Sequence, residues 1–598
     1  MGVFRQLKKG KNVRRGREIG RTEEFKRILR LPRRTAFKDY SDVLTSALKT
    51  ENGEQTLRAN QAWALTEACE QHGLVFIAPV GEGKTLVSFL LGAVWEVPWV
   101  LVIMPANAIE ETKKKKIPEA RKHWDFPEIE IISYETLAQS GRVNYLDELR
   151  PPAIICDEVH KLRRKNTARK RIVRYLVEHD IPFAGLTGTL TENSIKDYSH
   201  TMAWALGDGS PVPRTSDVEE WADLLDDGIP PESRPDRGAF EDFCRAGEQP
   251  RQAYRRLLME TPGVVMVTNP TSIGSSLVIQ ENSPTVPKKV VRAIEKMRRR
   301  WMTPSDDVIM TGIEFAAHAK ELALGFYYRW KWPDGKPDFD WLEARSEWRS
   351  YVRHVIRYHN RGEYVYDTEK QVRLGVEQGR LFPNQDQYNK WFSIADRWDV
   401  EALKETVWIS DFAVKHGLRW LEQADKRMDS PAGKAARTKA GILWVGHKAM
   451  LKAFEEQGVP VYGGGNSGIL DEKRSCVASL QAHSEAKNLQ YNFSQNYYMA
   501  IPANGYAWTQ SLGRTHRTGQ NADEVVAEVA LQSIELWESF QTARRRTGYQ
   551  KETTIRQKLD YAQINVSDEN EVVTRVQSKD PMWCKELDWD RTDVKGTP

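Results

Sequence analysis

The sequence predicts an α/β fold, with two parallel-sheet domains in tandem separated by a long, mainly helical insertion. Three observations predict it. An apolar run from Leu74 to Pro79 passes through a glycine loop, VGEGKT at 80–85, into an apolar helix-like segment. A second apolar run, AIIC at 153–156, delivers Asp157 and Glu158 at its end. A third, GILWVGH from Gly441, opens another strand–helix–strand series with KAMLKAFEEQ and VPVYGGG. Short apolar strands alternating with helical periodicity are the sequence form of parallel-sheet units.

At 598 residues the chain exceeds one ordinary core, and its length suggests about three to four domain-sized units. With 40% hydrophobic and 29% charged residues, and no apolar run near the roughly 20 residues that cross a bilayer, a soluble globular protein without a membrane role is expected. The net charge of +5 conceals an asymmetry. Residues 1–38 hold fourteen Lys/Arg against three Glu, or +11, which leaves −6 for the rest. Such a block reads either as an arm on nucleic-acid phosphates, gaining affinity by counterion release, or as a solubilising tail. It lacks the apolar segment of a secretory signal, so an intracellular location is expected: cytoplasmic, or the host cytoplasm were the chain viral. Cys69, Cys156, Cys244, Cys476 and Cys584 are scattered singly, which argues against structural zinc and a disulfide framework.

The loop at Gly81-Glu82-Gly83-Lys84-Thr85 carries the first chemistry. Glycines let backbone N–H groups approach phosphates, a helix N-terminus favours negative charge, Lys84 reaches the β- and γ-phosphates, and Thr85 ligates Mg²⁺. A nucleoside triphosphate with Mg²⁺ is therefore expected, and the loop alone leaves kinases, GTPases, transporters and motors open. Ala78 stands where the full pattern has its first glycine. At the end of the second strand, Asp157 suits Mg²⁺ and Glu158 suits polarisation of an attacking water.

These residues resemble motifs I and II of superfamily-two helicases, in the DExH form Asp157-Glu158-Val159-His160. Other pieces follow in that family's order. Leu57-Arg58-Ala59-Asn60-Gln61 resembles the upstream Gln motif, which implies that Arg58 and Gln61 contact the adenine end of ATP. Val102 to Pro105 resembles motif Ia, Ile132-Ser133-Tyr134-Glu135-Thr136 motif Ib, and Leu186-Thr187-Gly188-Thr189 motif III. The Ser-Tyr-Glu of motif Ib and LTGTLTENS at 186–194, with Leu190 in place of the usual proline, are similar to the Swi/Snf-type branch, which tracks double-stranded DNA.

In the second half, Ala486-Lys487-Asn488-Leu489-Gln490 resembles motif V, and the run from Gln510 to Gln520, QSLGRTHRTGQ, matches motif VI. Planar, permanently charged guanidiniums suit the spreading negative charge of phosphoryl transfer, and such an arginine is worth roughly 10³- to 10⁵-fold in rate. The resemblance implies two RecA-like P-loop domains with ATP in the cleft between them. Arg517 would be the arginine finger, Arg514 its partner and Gln510 a further ATP contact. It also implies that His160, Thr187 and Thr189 couple the nucleotide site to the nucleic-acid grip, and that Pro105, Ser133, Tyr134 and Asn488 belong to that grip.

Between the halves, segments with apolar residues at helical spacing (Phe315, Ala319, Leu322, Phe326) and nine of the twenty tryptophans, Trp301 to Trp420, predict a packed helical region. Lys288-Lys289, Arg298 to Arg300 and Arg329/Lys331 interleaved with Trp330/Trp332 read as solvated charges over core tryptophans, or as a DNA track. The run Lys113 to Lys116 reads the same two ways. The expected organisation is a basic extension at 1–50, an ATP-binding RecA-like domain at 51–207 and a mainly helical insertion at 208–440. A second RecA-like domain at 441–535 and a C-terminal extension at 536–598 follow. The expected activity is that of an ATP-dependent translocase or helicase on double-stranded DNA, acting as a monomer, with the insertion open to protein partners. The alternatives are an unwinding helicase on RNA or branched DNA, and an ATP-switched clamp that does not move.

Overall fold

The computed structural model describes residues 18–567, except 35–38, 80, 164–166, 192, 215, 230–232, 269–272, 360–365, 367, 464–467, 485–486 and 503–504. The basic residues before 18, the tail after 567, Val80 of the glycine loop and Ala486 lie outside the described residues.

Strands buried on both faces read as continuous apolar runs, and those runs form the first sheet. It comprises β1 (Gly73–Ile77), β2 (Trp99–Met104), β3 (Glu128–Ser133), β4 (Ile154–Asp157), β5 (Phe183–Thr187) and β6 (Val264–Met266), all parallel, in the order β3-β2-β4-β5-β1-β6. Alternation along each strand splits its side chains between two cores. Val75, Ile77, Leu101 and Ile103 enter one, and Leu74, Phe76, Val100 and Val102 the other.

The chain then runs through β7 (Ser276–Glu281), an antiparallel pair β8 (Phe326–Trp330) and β9 (Lys404–Trp408), β10 (Ala440–Val445), β11 (Val461–Tyr462), β12 (Cys476–Ser479), β13 (Phe493–Tyr498), β14 (Glu524–Val529) and β15 (Gln563–Asn565). Apart from β8 and β9 these form a second parallel sheet, ordered β11-β12-β10-β13-β14-β7-β15. The fold is thus mixed α/β with two parallel sheets.

The expected boundaries need correction at both ends of the second sheet. β7, inside the stretch expected as insertion, pairs with β14 from Ser276↔Glu524 to Glu281↔Val529. β15, inside the expected C-terminal extension, pairs with β7. Nothing local marks either strand, because each finds its partner more than two hundred residues away. The helix Ile534–Thr553 also crosses back to the first-sheet domain, where Gln550 Nε2 donates to the Thr191 carbonyl at 2.7 Å and Glu552 pairs with Arg251 at 2.8 Å.

The insertion proper is a packed body. Trp341, Trp348 and Trp391 are buried in its core with Val352, Val355 and Val372. Trp330 meets the Trp341 ring edge-on at 5.6 Å, Trp332 is buried, and Arg329 pairs with Glu405 at 2.7 Å. That arrangement is a core with solvated ion pairs, so no stacking track runs along 329–332. Among the described residues no helix is long and apolar enough to cross a membrane.

The N-terminal stretch from residue 18 is no free arm. The helix Glu23–Leu29 is capped by the Thr22 side chain and buries Phe25 against Trp221 and Phe243. Arg27 within the helix and Arg34 beyond it are consumed in pairs with Glu24 at 2.9 Å and Glu67 at 2.7 Å. Burial alone would raise the Glu24 carboxyl, but hydrogen bonds from Arg27 and from the Arg214 backbone and side chain hold it down at about 2. A carboxyl lowered below its usual 4.5 contributes stability that is fully present above that value and lost as the pH falls toward 2. Glu24→Gln is therefore expected to lower the thermal midpoint at pH 7, and its gap to wild type to close as melts are repeated from pH 4.5 downward.

Candidate functional site at the seam between the sheets

Ligands of open parallel sheets sit beyond the carboxyl ends of the strands, and there β1, β4 and β5 deliver the glycine loop, Asp157-Glu158 and Thr187 to Thr189. The loop turns on Gly81 (φ 100°) and Gly83 (φ 79°), both in the left-handed region, and Gly83 caps the helix Lys84–Val94. A methyl group on Gly83 would stand 2.0 Å from Gln61 Nε2. Gln61 itself is fixed by accepting from the Arg58 amide at 2.9 Å, while Arg58 Nη1 donates to the Gly81 carbonyl at 2.9 Å and lies 4.0 Å from Glu82. Arg58, Gln61 and the loop are therefore one locked unit. Thr85 occupies the second position of the helix.

Lys84 Nζ donates to the Ala78 and Pro79 carbonyls at 2.8 and 3.3 Å. Burial pushes the Lys84 ammonium down, Glu158 and Asp157 oppose that, and Arg514 and Arg517 add to it. Asp157 is pushed up by burial and by Glu158. For Glu158 burial acts in the same upward direction, but a hydrogen bond from His160 and the Lys84 charge win and hold it low. Two adjacent carboxyls are thus driven apart, the arrangement by which one site gives two carboxyls different tasks. Glu158 is a non-glycine residue at φ 55°, a conformation that costs about 1–3 kcal/mol and clusters at functional sites.

The environment of Glu158 continues into β5. Its Oε2 lies 3.3 Å from His160 Nδ1 and accepts from Thr187 Oγ1 at 3.4 Å. His160 Nδ1 also contacts Thr187 Oγ1 at 3.1 Å, and that oxygen accepts from the Thr189 amide at 3.0 Å. The three residues expected to couple, His160, Thr187 and Thr189, are thereby joined to Glu158 in one buried network.

The second sheet completes the site. A methyl group on Gly81 would stand 3.6 Å from Thr518 Oγ1 and 3.9 Å from Arg517 Cβ, so the loop rests against the segment after the helix Gly505–Thr515. Arg514 is buried and clamped by Gln510, whose Oε1 accepts from Nη2 at 2.7 Å and whose carbonyl accepts from Nε at 3.1 Å; Nη1 reaches the Lys487 carbonyl at 3.4 Å. Gly188 explains why Gln510 faces Lys84: a methyl there would stand 3.3 Å from Gln510 Nε2 and 3.5 Å from Lys84 Nζ. Burial and Arg514 push the Arg517 guanidinium down to about 10. His516 turns away, donating from Nε2 to the Ser275 carbonyl at 2.9 Å, and is pushed down to about 4 chiefly by burial.

The residues expected to grip nucleic acid are placed differently. Tyr134 is buried and donates from its hydroxyl to the Asp157 carbonyl at 2.7 Å; Ser133 is buried and caps the helix Tyr134–Ala138 by accepting from the Thr136 amide at 2.9 Å. Both hydroxyls are spent inside the fold: that of Tyr134 on the end of the Asp157 strand, and that of Ser133 on Thr136 of the helix it caps. Pro105 is a buried N-cap of the helix Ala106–Glu111, and Asn488 is partly buried beside Lys487. Sequence reasoning also missed Lys116. In the run Lys113 to Lys116 the first three side chains are exposed, but the run forms a π-helical turn, Thr112–Lys116, and the last lysine turns inward. It lies 3.8 Å from Glu111 and feels Asp157, Arg514 and Arg517. A one-residue widening of a helix is a common device at functional sites, and no composition signal announces it.

No protein-family model matches the chain, and no curated protein sequence matches it. Any reading of the site therefore stands on its geometry.

Gly83→Ala is expected to displace Gln61 and strain the left-handed turn by about 1–3 kcal/mol, loosening the loop while the sheets stay intact. Hydrogen exchange should show faster opening of residues 81–86, with unchanged protection in β2 and β13.

Proposed function

We propose that the two sheets are a pair of RecA-like domains forming an ATP-hydrolysing motor on nucleic acid, with double-stranded DNA as the track, in the manner of Swi/Snf-type translocases. The observation that carries the reading is the contact of the glycine loop with Arg517 and Thr518 across the seam. It brings Lys84, Asp157 and Glu158 of one sheet into the field of Arg514 and Arg517 of the other. A cluster of buried cations around a helix N-terminus is the environment a triphosphate needs. The strand order supports the reading too, since β5 lies between the loop-bearing β1 and the acidic β4.

In this reading Arg58 and Gln61 hold the loop against the base end of ATP, and the Gly81 to Thr85 amides with Lys84 bind its phosphates. Glu158, kept ionised by His160, accepts the proton of the attacking water. Arg514 and Arg517 meet the charge that develops on the γ-phosphate. The buried Asp157 carboxylate beside a second carboxylate suits a divalent cation, so Thr85 and Asp157 would hold Mg²⁺, which when bound neutralises phosphate charge. Phosphate release removes the anion that the two sets of cations share, which lets the seam reopen. The Glu158–His160–Thr187 network would carry that change along β5.

The test is ATP turnover by the full chain alone and with duplex DNA, single-stranded DNA or RNA. Stimulation by duplex DNA is expected, and none by any polymer would overturn the motor reading. Glu158→Gln should bind ATP but stop turnover, and wild-type turnover would refute its role as base. Arg517→Ala should cut the rate by roughly 10³-fold or more with little change in ATP affinity, and Lys84→Ala should lose both. Displacement of a triplex third strand separates a translocase from a static clamp.

A further inference from the structure

The segment after Thr553 lies outside every motif that resembles the helicase family, yet it passes along the seam. The helix Ile534–Thr553 leaves the second sheet, touches the first-sheet domain, and is followed by a stretch that returns as β15. Along this stretch the Thr554 carbonyl accepts from Arg255 Nε at 2.7 Å. Gln557 is buried and its Nε2 donates to the Gly188 carbonyl at 3.0 Å. Gly188 is the residue whose added methyl would stand 3.5 Å from Lys84 Nζ. The single turn Lys558–Asp560 then packs against the Arg514-bearing helix Gly505–Thr515. Lys558 is therefore held between the Lys84 side of the site and the Arg514 side.

Its surroundings are unusual for a lysine. Among the described residues the Lys558 ammonium has no hydrogen-bond or ion-pair partner. Its charged neighbours are Arg517, Glu82 and Arg514, and burial together with the two guanidiniums pushes it down to about 8, against the pull of Glu82. A cation kept unpaired among like charges is a cost that a bound polyanion relieves. A strap anchored just before this position by Gln557 on Gly188, and after it by the pairing of β15 with β7, fixes where the cost is borne.

We propose that Lys558 is a direct phosphate contact, a third cation supplied to the nucleotide by the C-terminal strap beside Arg514 and Arg517. This rests on the reading of the seam as an ATP site. The strap thus carries both a contact to the motif at Gly188, through Gln557, and a contact to the phosphates, through Lys558.

The test is titration of the full chain with a non-hydrolysable ATP analogue and Mg²⁺, and with inorganic tripolyphosphate, for wild type, Lys558→Gln, Lys558→Arg and Lys84→Ala. Lys558→Gln is expected to weaken both ligands roughly 10- to 100-fold, the usual worth of a charge-assisted hydrogen bond. Lys558→Arg should stay within a few fold of wild type, at an unchanged thermal midpoint. Wild-type affinity in Lys558→Gln, with binding lost in Lys84→Ala, would overturn this inference alone. Equal weakening in Lys558→Arg and Lys558→Gln, with both melting early, would make Lys558 a packing residue and also overturn it. No binding of the analogue by wild type would overturn both the inference and the ATP-site reading beneath it.

Discussion

The constraint on which the rest depends is the burial of like charge where the two sheets meet. Lys84 comes from one sheet, and Arg514, Arg517 and Lys558 from segments tied to the other; burial and cationic neighbours push Lys84, Arg517 and Lys558 down from their ordinary ionisation. In water such repulsion is screened within about 10 Å, but a low-dielectric seam screens it far less. Asp157, Glu158, Glu82 and Glu111 offset part of it. Three of the four cations are held in place: Arg514 by Gln510, Lys84 by the loop carbonyls, and Lys558 through the strap that Gln557 fixes to Gly188.

That rigidity explains the supporting residues. Gln61 fills the space beside Gly83 that a side chain would need, and Tyr134 bonds the carbonyl of Asp157 at the strand end. Thr187 is the branch point, meeting Glu158, His160 and the Thr189 backbone through one hydroxyl oxygen. Gly188 beside it meets Lys84, Gln510 and Gln557. The end of β5 is consequently where both sheets and the strap converge, and it carries a bonded route from Glu158 through Thr187 and Gly188 to Gln557 of the strap.

What the sequence revealed follows from locality. The glycine loop was legible because strand, turn and helix are consecutive and the chemistry of φ > 0 admits few residues. Asp157-Glu158 and the Gln510 to Gln520 run were legible for similar reasons. The tryptophan-rich core was legible from density and spacing. β7, β15 and the strap were not, because each acquires meaning from partners hundreds of residues away. Ser133 and Tyr134 were legible as a motif but not as buried supports, since burial depends on what packs over them. Lys116 and Lys558 carried no signal at all: one sits in a run whose other lysines are solvated, the other follows a polar helix.

The corrected domain limits also change how closure of the seam is constrained. Were the second domain only 441–535, two linkers would let it swing as a separate body. Instead β7 enters its sheet directly after β6 of the first, and the helix Ile534–Thr553 crosses back to Thr191 and Arg251 before β15 returns. The domains are thus tied at two places on the β14–β7–β15 side of the second sheet. No such tie is made at β11 and β12, on the opposite edge, among the described residues, so the second sheet is fastened to the first domain along one side only.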